Sequence, residues 1–237
     1  MLRAQSTERI VPETRPIDNR VDPREARANH AFRRQSSHAR RVNLEPFARE
    51  VAMQLTFRPL TPEVWSAFED LFSDSAVCKK CWCMYWRIGN TYRRRPGAAN
   101  KADFRAIVDD GPSPGLLAFD GDVAVGWCQL TPRDALPVME RNWRLKRIDA
   151  LPVWSISCFY VRKSHRKRGV TRALIRAALA AAKRAKAPAL EAYPLDRDLS
   201  PSATSTGVVT TFAQAGFETV ACHFPPRPIM RHDLKHP

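Results

Sequence analysis

The stretch "HRKRGVTRAL", His165 to Leu174, decides how this 237-residue chain reads. It lies in a segment, Arg162 to Lys186, that holds ten Lys or Arg and no Asp or Glu. Just before it, "VWSISCFYV" is a nearly continuous apolar run of β-formers, as expected of a strand buried on both faces. From Val170 the pattern becomes helical, with Leu174, Ile175, Ala178, Leu179 and Ala182 on one side and Arg172, Arg176 and Lys183 on the other. A helix that starts directly after a strand offers unpaired backbone N–H groups and a positive dipole end, which are the conditions for a phosphate site. Gly169 lets the backbone approach a ligand closely or take a positive φ. The dipole contributes only about 0.3–1 kcal/mol, so the N–H groups and the cations Arg166, Lys167 and Arg168 must do most of the binding. Two common phosphate loops, G-x-x-x-x-G-K-[ST] and G-x-G-x-x-G, do not occur.

The net charge of +15 and pI near 10.2 would ordinarily suggest nucleic acid. Its distribution argues otherwise. Residues 1–50 hold eleven Arg and seven acids, a net of +4, which leaves +11 for the rest; the segment 162–186 supplies +10 of that. So local an excess suits one small anionic ligand as well as it suits a polymer. A nucleic-acid-binding module using the basic helix 162–186 stands as the alternative reading, with nucleic acid the less favoured partner.

Residues 1–50 show neither helix nor strand period and are rich in Arg, Glu, Asn, Ser and Pro. Such a composition buries too little apolar surface to offset ordering entropy, so a disordered Arg-rich tail is expected there. Residues 51–237 then form one domain. "QLTFRPL" is the first strand. Thr61 and Pro62 start a helix whose Val64, Trp65, Phe68, Leu71 and Phe72 share a face. Asn100 is expected to cap a second helix over 101–110, and a hairpin turns at Asp120-Gly121. "ALEAYP" reads as a strand, "TTFAQAGF" as a short helix, and "FETVACHF" with "RPIMRHDL" as a closing strand pair. No apolar run reaches the eighteen or so residues of a membrane span, and the N-terminus lacks an apolar signal core. With six cysteines expected as free thiols, the expectation is a cytoplasmic protein with no membrane partner.

"FYVRKSHRKRGVTRAL" resembles the acetyl-CoA-binding motif of the GNAT acetyltransferase superfamily, V-x-P-x-x-R/Q-x-x-G-x-G/A-x-x-L. Val161, Arg166, Gly169 and Leu174 fall on it at the right spacing. Lys163, Lys167 and Thr171 depart, standing where Pro, Gly and a small residue are frequent. The order of elements over residues 54–237 is similar as well. The resemblance implies an α/β fold of GNAT acyl-CoA N-acyltransferase type, a mixed central sheet flanked by helices. It implies an N-acetyltransferase with acetyl-CoA as the acetyl-donor cosubstrate. The acceptor would be an amine-bearing small molecule or a peptide or protein. By the same resemblance, the backbone of Phe159, Tyr160 and Val161 would bind the pantetheine arm. The N–H groups from Arg166, Lys167, Arg168, Gly169, Val170 and Thr171 would cradle the pyrophosphate.

An acceptor amine of pKa near 10.4 costs roughly 4 kcal/mol to deprotonate at pH 7.4, so a base is useful, as is an acid for the departing thiolate. The family often has Tyr four residues before the Gly of its closing G-F pair. Here Phe212 stands there and has no proton to give, which leaves a catalytically weak CoA-binding relative as a further reading. Tyr193 as acid and Glu191 as base are the substitute candidates, two residues apart on one strand face. Cys78, Cys81 and Cys83 form C-x₂-C-x-C, short of the four ligands zinc usually takes, and no metal is assigned. By the same resemblance, Trp82, Tyr85 and Trp86 lie where the family places acceptor-binding helices and loops, and are expected either to wall an acceptor pocket or to pack in the core.

Overall fold

A computed structural model describes residues 53–196 and 205–234. The expected tail over residues 1–50 lies outside the described residues. The chain runs through β1 (Leu55–Pro59), α1 (Trp65–Ser73), α2 (Ala76–Cys81), α3 (Tyr85–Ile88), α4 (Thr91–Arg94) and α5 (Gly97–Asp110). It continues with β2 (Gly115–Asp120), β3 (Val123–Pro132), α6 (Pro137–Glu140), β4 (Trp154–Val161) and α7 (Val170–Arg184). It closes with β5 (Ala189–Ala192), α8 (Val209–Ala213), β6 (Glu218–Phe224) and β7 (Arg227–Asp233). The strands form one mixed sheet in the order β1-β2-β3-β4-β5-β7-β6. All neighbours pair antiparallel except β4 and β5, which run parallel and are joined by the crossover helix α7.

Strand alternation decides what covers each face. Leu116, Ala118, Val125, Cys128, Ile156 and Phe159 turn toward α7, whose Val170, Leu174, Ile175, Ala178 and Ala182 meet them. Leu117, Phe119, Ala124, Trp127 and Tyr160 turn the other way, against Phe68, Leu71 and Phe72 of α1 and Phe104 of α5. Gly126 of β3 permits the α7 contact, because a Cβ there would sit 2.8 Å from Val170 Cγ1. A third cluster joins Trp86, Leu136, Met139 and Leu145 to Tyr193 and Ile229.

The first helical segment begins as a 3-10 turn at Pro62–Val64 and becomes α1 at Trp65. The hairpin turns at Gly121, φ +59°, where Asp120 pairs with Val123. Asn100 does not cap its helix. α5 starts one turn earlier, at Gly97, and the buried Asn100 amide donates instead to the carbonyls of Lys80 (2.7 Å) and Tyr92 (2.9 Å). It thereby ties α5 to α2 and α4. The stretch around Cys78–Arg87, too mixed to assign from sequence, forms two short helices joined by Trp82 and Cys83 at φ +46° and +55°.

Two irregularities of β4 position the site. Its parallel pairing with β5 covers only Trp154, Ser155 and Ile156. Directly after Ile156 the pairing with β3 shifts register, from Leu130↔Ile156 to Gln129↔Cys158, which leaves Ser157 as the extra residue of a bulge. Beyond that point β4 keeps β3 on one edge and loses β5 on the other. The sheet therefore opens there.

Candidate active site

The opening leads to the turn that the sequence marks out. A cavity of about 640 Å³ is lined by Phe159, Tyr160 and Val161 of β4, by Arg166, Lys167, Gly169, Val170 and Thr171 of the turn and α7, and by Ser205, Val208 and Thr211. Of the nine residues expected around a cofactor, only Arg168 is off this lining. Sequence reasoning missed Ser205, Val208 and Thr211, which come from the stretch entering α8 and carry no local signal.

The turn is shaped to expose backbone donors. Lys167 and Gly169 both adopt left-handed backbone, φ +60° and +82°. A Cβ on Gly169 would meet nothing within 4 Å, so the glycine is there for its φ rather than for space. Lys167 explains its own departure from the motif: the position is left-handed, which Gly adopts at no cost and Lys only with strain. α7 begins without a side-chain cap, and its first internal bond is Ala173 N–H to Gly169 O at 3.0 Å. Among the described residues, the six consecutive N–H groups from Lys167 to Arg172 have no acceptor. The cations beside them are also without acids. Arg166 donates from Nε to the Val161 carbonyl at 3.1 Å, and among the described residues no carboxylate pairs with Arg166, Lys167 or Arg168. Neighbouring cations are engaged: Arg162 with Asp70 at 2.6 Å, and Arg172 with Gln214 at 2.5 Å.

The free edge of β4 already has protein partners. Trp86 Nε1 donates to the Ser157 carbonyl at 2.9 Å, and Phe159 N–H donates to the Ser205 carbonyl at 2.6 Å. The strip from Ser205 to Gly207 lies in the opening, since Leu195 N–H on its other side donates to the Gly207 carbonyl at 3.0 Å.

Tyr193 and Glu191 do share a strand face, and the Tyr193 hydroxyl donates to Glu191 Oε2 at 2.8 Å. The pair does not line the cavity. Tyr193 is 0% exposed and Glu191 2%. Arg133, 1% exposed, donates from Nη1 to Glu191 (3.1 Å) and Tyr193 (3.0 Å), and from Nε to Glu140 (2.6 Å). Arg231 Nη2 donates to the second Glu191 oxygen at 2.7 Å, and Ser155 Oγ lies 3.1 Å from the Tyr193 hydroxyl. Burial and the Glu191 charge push the phenol pKa far up. Sequence reasoning could not see this network, because Arg133 is 58 residues from Glu191. Phe212 is fully buried and packs against Phe159 and Phe217.

Cys78 and Cys83 are buried and Cys81 is half-buried. Burial pushes Cys78 up to about 12 and Cys81 up to about 11, so both are neutral thiols. No group of three His, Cys, Asp or Glu among the described residues is arranged to hold a metal. Trp82 packs in the α1 core, stacked on Phe72 at 5.6 Å, and Trp86 supports β4 through its indole N–H. Tyr85, half-buried, is edge-on to Trp86 and Tyr92. No helix among the described residues is long and apolar enough to cross a membrane.

No curated protein matches the chain. Solved structures do, at low identity. A PaiA N-acetyltransferase from Thermoplasma acidophilum, solved with coenzyme A, is 15% identical; the match covers 76% of this chain and 99% of that one, at a TM-score of 0.45. A GNAT-family acetyltransferase from Listeria monocytogenes is 12% identical over 76% and 95% of the two chains, at 0.47. An acetyltransferase from Thermus thermophilus is 18% identical over 77% and 99%, at 0.45. The model of the acetyltransferase (GNAT) family matches residues 68–197, more than half of the sequence and the whole β4–turn–α7 unit, and the chain belongs to that family.

Proposed function

We propose that this protein is an N-acetyltransferase that moves an acetyl group from acetyl-CoA to an amine by direct attack. The observation that carries the proposal is the run of six acceptor-free N–H groups, Lys167 to Arg172, beside a 640 Å³ cavity. Orphan amides with unpaired cations beside them match a diphosphate, whose oxygens accept from both. The residues present therefore fit the donor. Arg166, Lys167 and Arg168 supply charge, Gly169 the left-handed turn, and Thr171 a hydroxyl on the cavity wall. The open edge of β4 from Phe159 to Val161 supplies main-chain groups for an extended arm, as an added strand would use them.

The donor brings an acyl carbonyl activated by a thioester. The chain's part is to orient that carbonyl against the bulged strand and to offer main-chain N–H groups to the oxyanion that forms on attack. The Arg133–Glu191–Tyr193 network acts at a distance: it fixes the end of β5 and so the width of the opening.

The basic segment needs no polymer to account for it. Arg162 and Arg172 already have side-chain partners in Asp70 and Gln214, and Arg166 and Lys167 stand on the cavity wall. The test is amine-dependent release of CoA thiol from acetyl-CoA across a panel of amines. Release that saturates in both substrates is expected; no release above hydrolysis with any amine would refute the proposal.

A further inference from the structure

The opening in the sheet has a second side, facing away from α7. There the third apolar cluster brings Trp86 and Tyr193 together with Ile229, and Tyr85 packs against it. Arg227, the first residue of β7, reaches into this region. Its Nη1 donates to the Tyr193 carbonyl at 2.7 Å and to Thr206 Oγ1 at 2.9 Å. Thr206 is the neighbour of Ser205, whose carbonyl holds the N–H of Phe159. Arg227 thus stands one residue from the β4 edge, across the strip from the phosphate turn.

Its electrostatic position is unusual. The side chain is half-buried, and no Asp or Glu among the described residues pairs with it. Burial lowers its pKa, as happens when a cation leaves water without an acid beside it. The contrast is Arg231, four residues on, which has both Asp149 and Glu191. Arg227 makes contacts through one nitrogen only. Among the described residues Nε and Nη2 have no hydrogen-bond partner, which leaves this edge of the guanidinium without a protein acceptor there. Tyr85, packed against the same cluster, has a hydroxyl with no hydrogen-bond partner among the described residues.

We infer that the acceptor is an amine that also carries a carboxylate, and that the Nε–Nη2 edge of Arg227 receives that carboxylate. The Nη1 bonds to Tyr193 and Thr206 lock the plane of the guanidinium, leaving the two-donor edge pre-oriented. That edge matches the two oxygens of a carboxylate in parallel bonds. One guanidinium also balances one carboxylate, while a phosphate monoester would bring nearly twice the charge. This inference rests on the N-acetyltransferase reading and names its substrate class.

The test compares each of several free amino acids, among them methionine and phenylalanine, with its own carboxamide, at fixed saturating acetyl-CoA and by CoA release. The wild-type protein is expected to favour the acids by about tenfold or more in kcat/KM, the scale of a charge-assisted pair. Arg227→Met is expected to abolish that preference, mainly through KM for the acids. Arg227→Lys, which keeps charge but loses the fork, should fall between the two. A far-UV circular dichroism spectrum like that of the wild type shows that both variants are folded. Equal use of acids and amides by the wild type overturns the inference while leaving the transferase reading intact. So does an acid preference that survives in Arg227→Met. Absence of CoA release with every acid and every amide overturns both.

Discussion

The main-chain N–H of Phe159 donates to the carbonyl of Ser205 at 2.6 Å, so the opened edge of β4 is held by the protein's own backbone. A donor arm that uses this edge must take the place of Ser205. Binding would then follow opening of the 205–207 strip. In stopped-flow mixing with excess CoA, the observed rate constant should level off at the opening rate as CoA rises. A rate that climbs linearly throughout the accessible range would contradict this.

Lys167 holds a left-handed conformation that favours glycine. Lys167→Gly should therefore relieve strain and raise stability by up to about 1 kcal/mol, the residual after glycine's greater unfolded entropy. The same change removes a cation from the cavity wall, and CoA affinity should fall by up to about fivefold, as for a solvent-accessible ion pair. Denaturant melts and calorimetry on the one variant separate the two effects. A variant that loses stability and keeps its affinity would contradict both.

The Arg133–Glu191–Tyr193 network makes an equally specific claim. Tyr193→Phe removes the hydroxyl that serves Glu191, Arg133 and Ser155, and should cost about 1–3 kcal/mol in stability. Turnover per folded molecule should be nearly unchanged, because the hydroxyl is off the cavity. Glu191→Gln leaves Arg133 and Arg231 short of a buried charge and should cost more, about 3–5 kcal/mol. A Tyr193→Phe protein of full stability with a large loss of kcat would reverse this assignment.

Acid should loosen the same region from its rim. The Arg231 guanidinium, bonded at 2.6 and 3.1 Å, holds the Asp149 carboxyl below its ordinary value. A depressed carboxylate contributes stability that is present above its unfolded pKa, near 3.9, and is lost as pH falls through the folded value. Asp149→Asn should therefore flatten the fall in stability below about pH 4 and leave the slope near neutrality alone.

The thiols separate by exposure. Cys222, on the edge strand β6, is exposed, whereas Cys78, Cys83 and Cys128 are buried and held neutral by that burial. An aromatic disulfide reagent at pH 8 should show one fast equivalent that disappears in Cys222→Ser, with the buried thiols reacting only on unfolding. Several fast equivalents in the variant would contradict the packing of α2 against α1 and α5.

What could be read in the sequence follows from what is local. The strand before Arg162, the left-handed Gly169 and the amphipathic α7 lie within one short stretch, and each leaves its mark there. Asn100 is the opposite case. Its sequence position suits a cap, but two distant carbonyls, of Lys80 and Tyr92, compete for its amide and win. The bulge at Ser157 leaves no trace in composition, because it arises from β3 and β4 falling out of register. The same is true of the site's far wall, where Ser205 meets β4 only through topology. Tyr193 and Glu191 share one strand face, as their spacing indicates, but their burial with Arg133 and Arg231 depends on distant residues that leave no local mark.

The central claim is that the start of α7 clasps a diphosphate. Calorimetric titration with CoA, and in parallel with pantetheine, which lacks the diphosphate and nucleotide, tests it most directly. One CoA per chain with micromolar-class affinity, and no measurable heat from pantetheine at the same concentrations, is the predicted result. Absence of heat from CoA, or pantetheine binding as tightly as CoA, would contradict it.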